Sequence, residues 1–86
     1  MSDVSVVVVN WNAGAALREC LDSLFRSKMS GELDVWVVDN ASTDGSHMAA
    51  LRAWPAANLI RNEVNGGFAS AVNQGLRHAR MGLTLL

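Results

Sequence analysis

The run Val4-Ser5-Val6-Val7-Val8-Val9 shows no alternation of apolar and polar side chains. A strand with one wet face alternates, whereas a strand covered on both faces is apolar nearly throughout. The run therefore predicts an interior strand of a parallel sheet, and such a sheet needs helices on both sides. The sequence supplies them. Leu17, Cys20, Leu21, Leu24 and Phe25 fall at helical spacing within Gly14–Phe25, with Arg18, Glu19, Asp22 and Arg26 on the opposite side. After a return loop, Met29–Glu32, a second strand is predicted over Asp34–Val38. A helix then starts near Gly45, capped by Thr43 or Asp44, with Met48, Leu51 and Trp54 inward, and Pro55 ends it.

A short third strand is predicted over Asn58–Arg61, and a helix over Phe68–Arg80. In that helix Val72, Leu76 and Ala79 point inward, and Arg77 and Arg80 suit its C-terminal dipole. Gly82 breaks it and Leu83–Leu86 begins a fourth strand. The order β-α-β-α-β-α-β gives the fold class: α/β, a mostly parallel sheet with helices on both faces, in one domain or the front of one.

Ligands of such sheets sit outside the carboxyl ends of the strands, so the polar clusters there carry the functional signal. Asn10-Trp11-Asn12 leaves the first strand. Its amides donate and accept, which suits the edge of a pyrimidine or a ribose, and Trp11 offers a flat wall. A plain turn with a half-buried tryptophan accounts for the same residues. Asp39-Asn40 leaves the second strand, where a carboxylate can accept from a ribose hydroxyl or a base imide N–H while Asn40 orders the loop. The other reading of Asp39 is a loop cap. Asn65-Gly66-Gly67-Phe68 opens the third helix, whose free N–H groups can receive a polar ring or an anion. Asn73 is expected to bond a neighbouring loop.

Other chemistries are excluded. The seven basic residues are scattered and the net charge is −1, so no nucleic-acid surface is expected. One cysteine, Cys20, allows no internal disulfide and is expected to be a buried, inert thiol. His47 and His78 are expected on solvated helix faces, without metal spacing. No phosphate-binding P-loop, dinucleotide fingerprint, Ser-His-Asp set or paired-carboxylate site is present, so no catalytic or metal-binding residue is named. Neither a signal peptide nor a transmembrane segment is apparent.

Three stretches together resemble family-2 glycosyltransferases of the GT-A fold, most closely the rhamnosyltransferase-type branch that builds bacterial surface polysaccharides. They are Val4–Asn12, Val37–Ser46 and Asn65–Leu76. The resemblance implies a Rossmann-like nucleotide-binding half whose sheet reverses order between its first and fourth strands. It implies that Asn10, Trp11 and Asn12 line a nucleotide pocket. Asp39, with Asn40 beside it, binds the base or ribose of a UDP- or dTDP-sugar, and Asn65 and Gly67 close the other side. The partners implied are that donor and a glycan or lipid-linked acceptor, in the cytoplasm at the inner face of a membrane.

The family places an acidic Mg²⁺- or Mn²⁺-binding motif just after the fourth strand and its catalytic base further on. Neither stands in residues 1–86, so the expectation is an amino-terminal, nucleotide-sugar-binding part that transfers no sugar alone. The rival expectations are a regulatory nucleotide-binding module and a truncated remnant with an exposed sheet edge. A receiver-like fold lacks its acidic cluster after the first strand.

Overall fold

A computed structural model describes residues 2–27, 32–78 and 82–85. The elements are β1 (Ser2–Asn10), α1 (Ala15–Ser27), β2 (Glu32–Asn40), α2 (Ser46–Ala53), β3 (Asn58–Asn62), α3 (Phe68–His78) and β4 (Gly82–Leu85). All seven predicted elements form, each within about two residues of its expected limits. Residues 29–31 of the predicted return loop, Ala79, Arg80 and Leu86 lie outside the described residues. Glu32, expected in that loop, begins β2.

The sheet order is β3-β2-β1-β4 and every pairing is parallel. β1 is therefore interior, as its unbroken valine run requires. The chain first steps outward from β1 to β3, then crosses back to place β4 on the other side of β1. That reversal puts α1 and α2 on one face and α3 on the other, because each crossover is right-handed.

Alternate residues of the strands feed two cores. Val6, Val8, Val35 and Val37 pack with Leu17, Leu21 and Ala50, joined by the partly buried Cys20, Leu24, Phe25, Leu51 and Trp54. Phe25 of α1 stacks on Trp54 at a centroid distance of 4.8 Å, which ties the two helices together. The second core is thin: Val7, Val38 and Ala71, with Val9 and Ile60 at its margin.

Several expected core positions shift. Met48 is exposed, and Ala50 takes its place under α2. Leu76 is exposed and Val72 is only half-buried; α3 instead turns Ala71 and Gly75 to the sheet. The small face lets the helix lie close to β1. His78 is exposed but not merely solvated: its ring stacks on Trp36 of β2 at 4.5 Å. Asp34 holds that indole, accepting from Trp36 Nε1 at 3.1 Å and from Ser5 Oγ at 3.0 Å. Cys20 is half-buried, and burial pushes its thiol pKa up.

Candidate nucleotide site

Pleating sends neighbouring residues at the strand ends to opposite faces. Asn10 and Asp39 follow Val8 and Val37 to the α1/α2 side. Asn40 follows Val38 to the α3 side. The expected cluster therefore splits into two assemblies with different chemistry.

The first assembly is closed and centred on Asp39. Asn10 and Asp39 are neighbours across β1 and β2, and Arg61 is the neighbour of Asp39 across β2 and β3. Asp39 Oδ1 accepts from Asn10 Nδ2 at 2.7 Å and from Ser42 Oγ at 2.6 Å. Oδ2 accepts from the Ser42 backbone N–H at 3.0 Å and from Arg61 Nη1. Arg61 Nη2 also donates to the Ser42 carbonyl at 3.0 Å. A carboxylate has about four acceptor sites, and the protein fills them. Asn10 and Asp39 are each 0% exposed, so a ligand would have to displace this network to reach either.

His47, expected on a solvated face, is buried here instead. Its Nδ1 lies 3.4 Å from Arg61 Nη1 and 3.9 Å from Asp39 Oδ2. The position of α2 over the end of the sheet explains the difference: the first turn of the helix faces the strand ends rather than water.

Burial is the largest single influence on Asp39 and pushes its pKa up. The hydrogen bonds from Ser42 and Asn10, with His47 nearby, outweigh it and hold the carboxyl below its ordinary value. Asp44 is lowered too, chiefly by the Ser46 hydroxyl. A carboxylate depressed on folding contributes stability above its unfolded pKa and loses it as pH falls through the folded value. Urea-unfolding midpoints should therefore be level from about pH 7 to pH 5 and fall below about pH 4. Midpoints that rose on acidification would contradict this role for Asp39.

Asn12 joins the loops after β1 and β2. Its Oδ1 accepts from the backbone N–H of Thr43 at 2.7 Å and of Asp44 at 3.2 Å, while its own N–H donates to Ser42 Oγ at 2.9 Å. Asp44 completes the join by accepting from the Gly14 N–H at 2.9 Å and from Ser46 N at 2.9 Å. Gly45 is the N-cap of α2, so Asp44 serves the first turn from one residue further out. Two non-glycine residues here have positive φ, Asn12 at 49° and Ala41 at 64°. Asparagine tolerates this conformation and alanine does not. Ala41→Gly should therefore raise stability by about 0.5–1 kcal/mol, the relief of strain exceeding the added freedom of the unfolded chain. Urea titration measures it.

The second assembly is open. Val9, Trp11, Ala13, Asn40, Asn65, Gly67 and Phe68 line a cavity of about 420 Å³ on the α3 side. Trp11 is 59% and Phe68 62% exposed, so two aromatic faces stand uncovered at its walls. Asn40, 2% exposed, lies at its floor. Asn40 Nδ2 donates to the Gly67 carbonyl at 3.1 Å, and Asn65 Oδ1 accepts from the Gly67 N–H at 2.8 Å. Asn62 Nδ2 donates to Asn40 Oδ1 at 3.0 Å, and Asn62 and Gln74 form a reciprocal amide pair at 2.7 and 2.8 Å.

Of the residues expected at a nucleotide, the structure brings Trp11, Asn40, Asn65 and Gly67 together at this cavity. Asn10, Asn12 and Asp39 belong to the closed assembly behind it. Asp39, expected to bind the base or ribose, is 0% exposed here, with its carboxylate engaged by Asn10, Ser42 and Arg61. Asn73 is exposed; its neighbour Gln74 instead bonds Asn62, the last residue of β3. Val9, Ala13 and Phe68 were not expected as lining residues. Among the described residues no three His, Cys, Asp or Glu side chains converge. No described helix is long and apolar enough to cross a membrane.

The glycosyl transferase family 2 model matches residues 5–82. The chain belongs to that family. Among relatives of this family-2 chain is the N-acetylglucosaminyl-diphospho-decaprenol L-rhamnosyltransferase of Mycobacterium tuberculosis, 36% identical over 75 residues. That alignment covers 86% of this chain and 24% of the relative, so the chain spans about a quarter of the relative's length. A mannosyltransferase from Pyrobaculum calidifontis, solved with GDP-Man and Mn²⁺, superposes with a TM-score of 0.78 at 35% identity. The match covers 90% of this chain and 24% of that one. S. aureus TarS 1-349 in complex with UDP-GlcNAc gives a TM-score of 0.83 at 28% identity, over 98% of this chain and 26% of that one. The fold is thus the GT-A type that the sequence resemblance implied.

Proposed function

We propose that this family-2 chain holds the nucleoside of a nucleotide-sugar donor, of the UDP or dTDP kind, in the cavity between Trp11 and Phe68. The observation that carries the reading is the meeting of two uncovered aromatic faces above a buried amide, at the carboxyl ends of the strands. A planar base gains from stacking between such walls, and Asn40 supplies donor and acceptor at the edge. The cavity volume of about 420 Å³ suits a small-molecule site. Asp39 keeps a supporting role: with Asn10, Arg61 and Ser42 it fixes the two loops that carry Trp11 and Asn40. Relatives solved with GDP-Man and UDP-GlcNAc support a nucleotide-sugar donor. The rhamnosyltransferase relative supports a glycan or lipid-linked acceptor in the whole enzyme.

No carboxylate lines the cavity, so the described residues offer no general base for an acceptor hydroxyl. The reading is therefore of a donor-binding unit that transfers no sugar on its own. A cation at the donor's diphosphate would stabilise the departing nucleotide, and the described residues gather no cluster of three ligands for it.

Titration of the chain with UDP and dTDP, followed by tryptophan fluorescence and calorimetry, tests the reading. Binding should appear, and Trp11→Ala should weaken it about tenfold or more, the loss of one stacking face. Saturation with neither nucleotide, or a Trp11→Ala variant that binds as well as the parent, would refute it.

A further inference from the structure

Three side-chain amides run in series from α3 to the cavity floor, Gln74 to Asn62 to Asn40, and the series ends on the Gly67 carbonyl. A backbone carbonyl only accepts, so the group of Asn40 that faces it must be Nδ2. That fixes Oδ1 toward Asn62, which must present Nδ2 in return. Asn62 then has one N–H and its Oδ1 left for Gln74, and the reciprocal pair uses both. One carbonyl that cannot rotate thus sets the polarity of three amides that otherwise could.

The consequence falls on Asn40. Its second N–H and the second lone pair of Oδ1 have no partner among the described residues, and the two bonds fix which end of the amide is donor and which is acceptor where Asn40 lines the cavity. Uracil and thymine present an N–H beside C=O along their pairing edge. Cytosine presents, at the same ring positions, an acceptor nitrogen beside an NH₂ donor, which is the reverse order. A freely turning amide would serve both rings by flipping. An amide held at both ends serves one, because a flip would set Oδ1 against the Gly67 carbonyl and require Asn62 and Gln74 to turn with it.

Resting on the donor reading above, we propose that Asn62 and Gln74 are positioning residues that lock Asn40 in one orientation and so make the cavity select a uracil-type edge over a cytosine-type edge. Neither residue lines the cavity. Their effect is on the choice between rings.

The test is the ratio of UDP to CDP affinity, read by tryptophan fluorescence on the 86-residue chain, its Gln74→Met variant and, as a second break in the series, Asn62→Leu. Gln74→Met keeps length and helix preference while removing both amide bonds. Ile60→Val, a trim of the core near the relay that touches no amide, is the stability control. The parent chain should prefer UDP about tenfold or more, the scale of one well-formed pair of hydrogen bonds to a base edge. The ratio should fall by about threefold in Gln74→Met, because Asn62 is then free to turn and only the Gly67 carbonyl still opposes a flipped Asn40. Ile60→Val should keep the parental ratio. A parent that binds UDP and CDP alike, or a Gln74→Met variant that binds UDP with the ratio unchanged, overturns the proposal and leaves the donor reading intact. A parent that binds neither nucleotide overturns both.

Discussion

Replacing Asp39 with alanine should cost about 2–4 kcal/mol of folding stability, because a buried carboxylate that accepts several hydrogen bonds is lost while its charge partner Arg61 stays partly in water. The change takes an acceptor from the Asn10 amide, the Ser42 hydroxyl and N–H, and one arm of Arg61; Asn10 Nδ2 keeps the Ser42 and Ser46 hydroxyls, but the buried Ser42 N–H loses its partner. Small domains are stable by only about 5–15 kcal/mol in all, so the variant should lie near its unfolding threshold at room temperature. Asp39→Asn should be poorly tolerated as well, because an NH₂ group in place of Oδ2 accepts from neither Ser42 N nor Arg61. Urea titration with circular dichroism reads both. The same titrations at lower pH add a check: a surviving Asp39→Ala variant should lose much of the fall in midpoint expected below about pH 4. A loss under about 1 kcal/mol for Asp39→Ala would mean that the network is decorative.

Gly75→Ala is the second large effect. Alanine is the better helix former by about 1 kcal/mol, so helix preference alone predicts a gain. Packing predicts the opposite. A Cβ on Gly75 would lie 3.2 Å from Val7 Cβ and closer still to both Val7 methyls. Val7 is fully buried in the middle of β1 and cannot step aside. The expected result is a net loss of about 1–3 kcal/mol, the usual cost of overfilling a packed core. The double variant Val7→Ala with Gly75→Ala should recover part of that loss, and a thermodynamic cycle over the four proteins measures the coupling. A stabilised Gly75→Ala single variant would show that α3 sits further from the sheet than described.

The elements were legible because their signals are local. An unbroken valine run, a stripe at helical spacing and clustered turn residues place β1, α1 and the loop after β2 without knowledge of the rest. The faces of α3 were not legible in this way. Val72 and Leu76 look like its buried side by hydropathy, yet Ala71 and Gly75 take it, because this helix lies close on a strand and small residues permit the approach. The site shows the same limit. The polar clusters at the strand ends were legible, but Asp39 and Asn40 are adjacent, and adjacency in a strand means opposite faces. The signal existed: Asp39 shares the parity of Val35 and Val37, and the right-handed crossovers send α1 and α2 to that side. Counting by twos from the core would have assigned Asn40 to the α3 side. The amide series was hidden for a different reason. Asn62 and Gln74 are 12 residues apart and meet only because β3 and α3 pack together.

The pleat that separates Asp39 from Asn40 also separates two kinds of evolutionary freedom. Residues behind the sheet are bound to one another, and a change to any of them is penalised by the whole framework. In front, Trp11 and Phe68 stand exposed at the walls of the proposed donor cavity, so replacements at these two positions leave the packed core in place. On the proposed donor reading, a lineage built on this scaffold can therefore explore new donors at the exposed walls while Asp39 and its partners stay frozen.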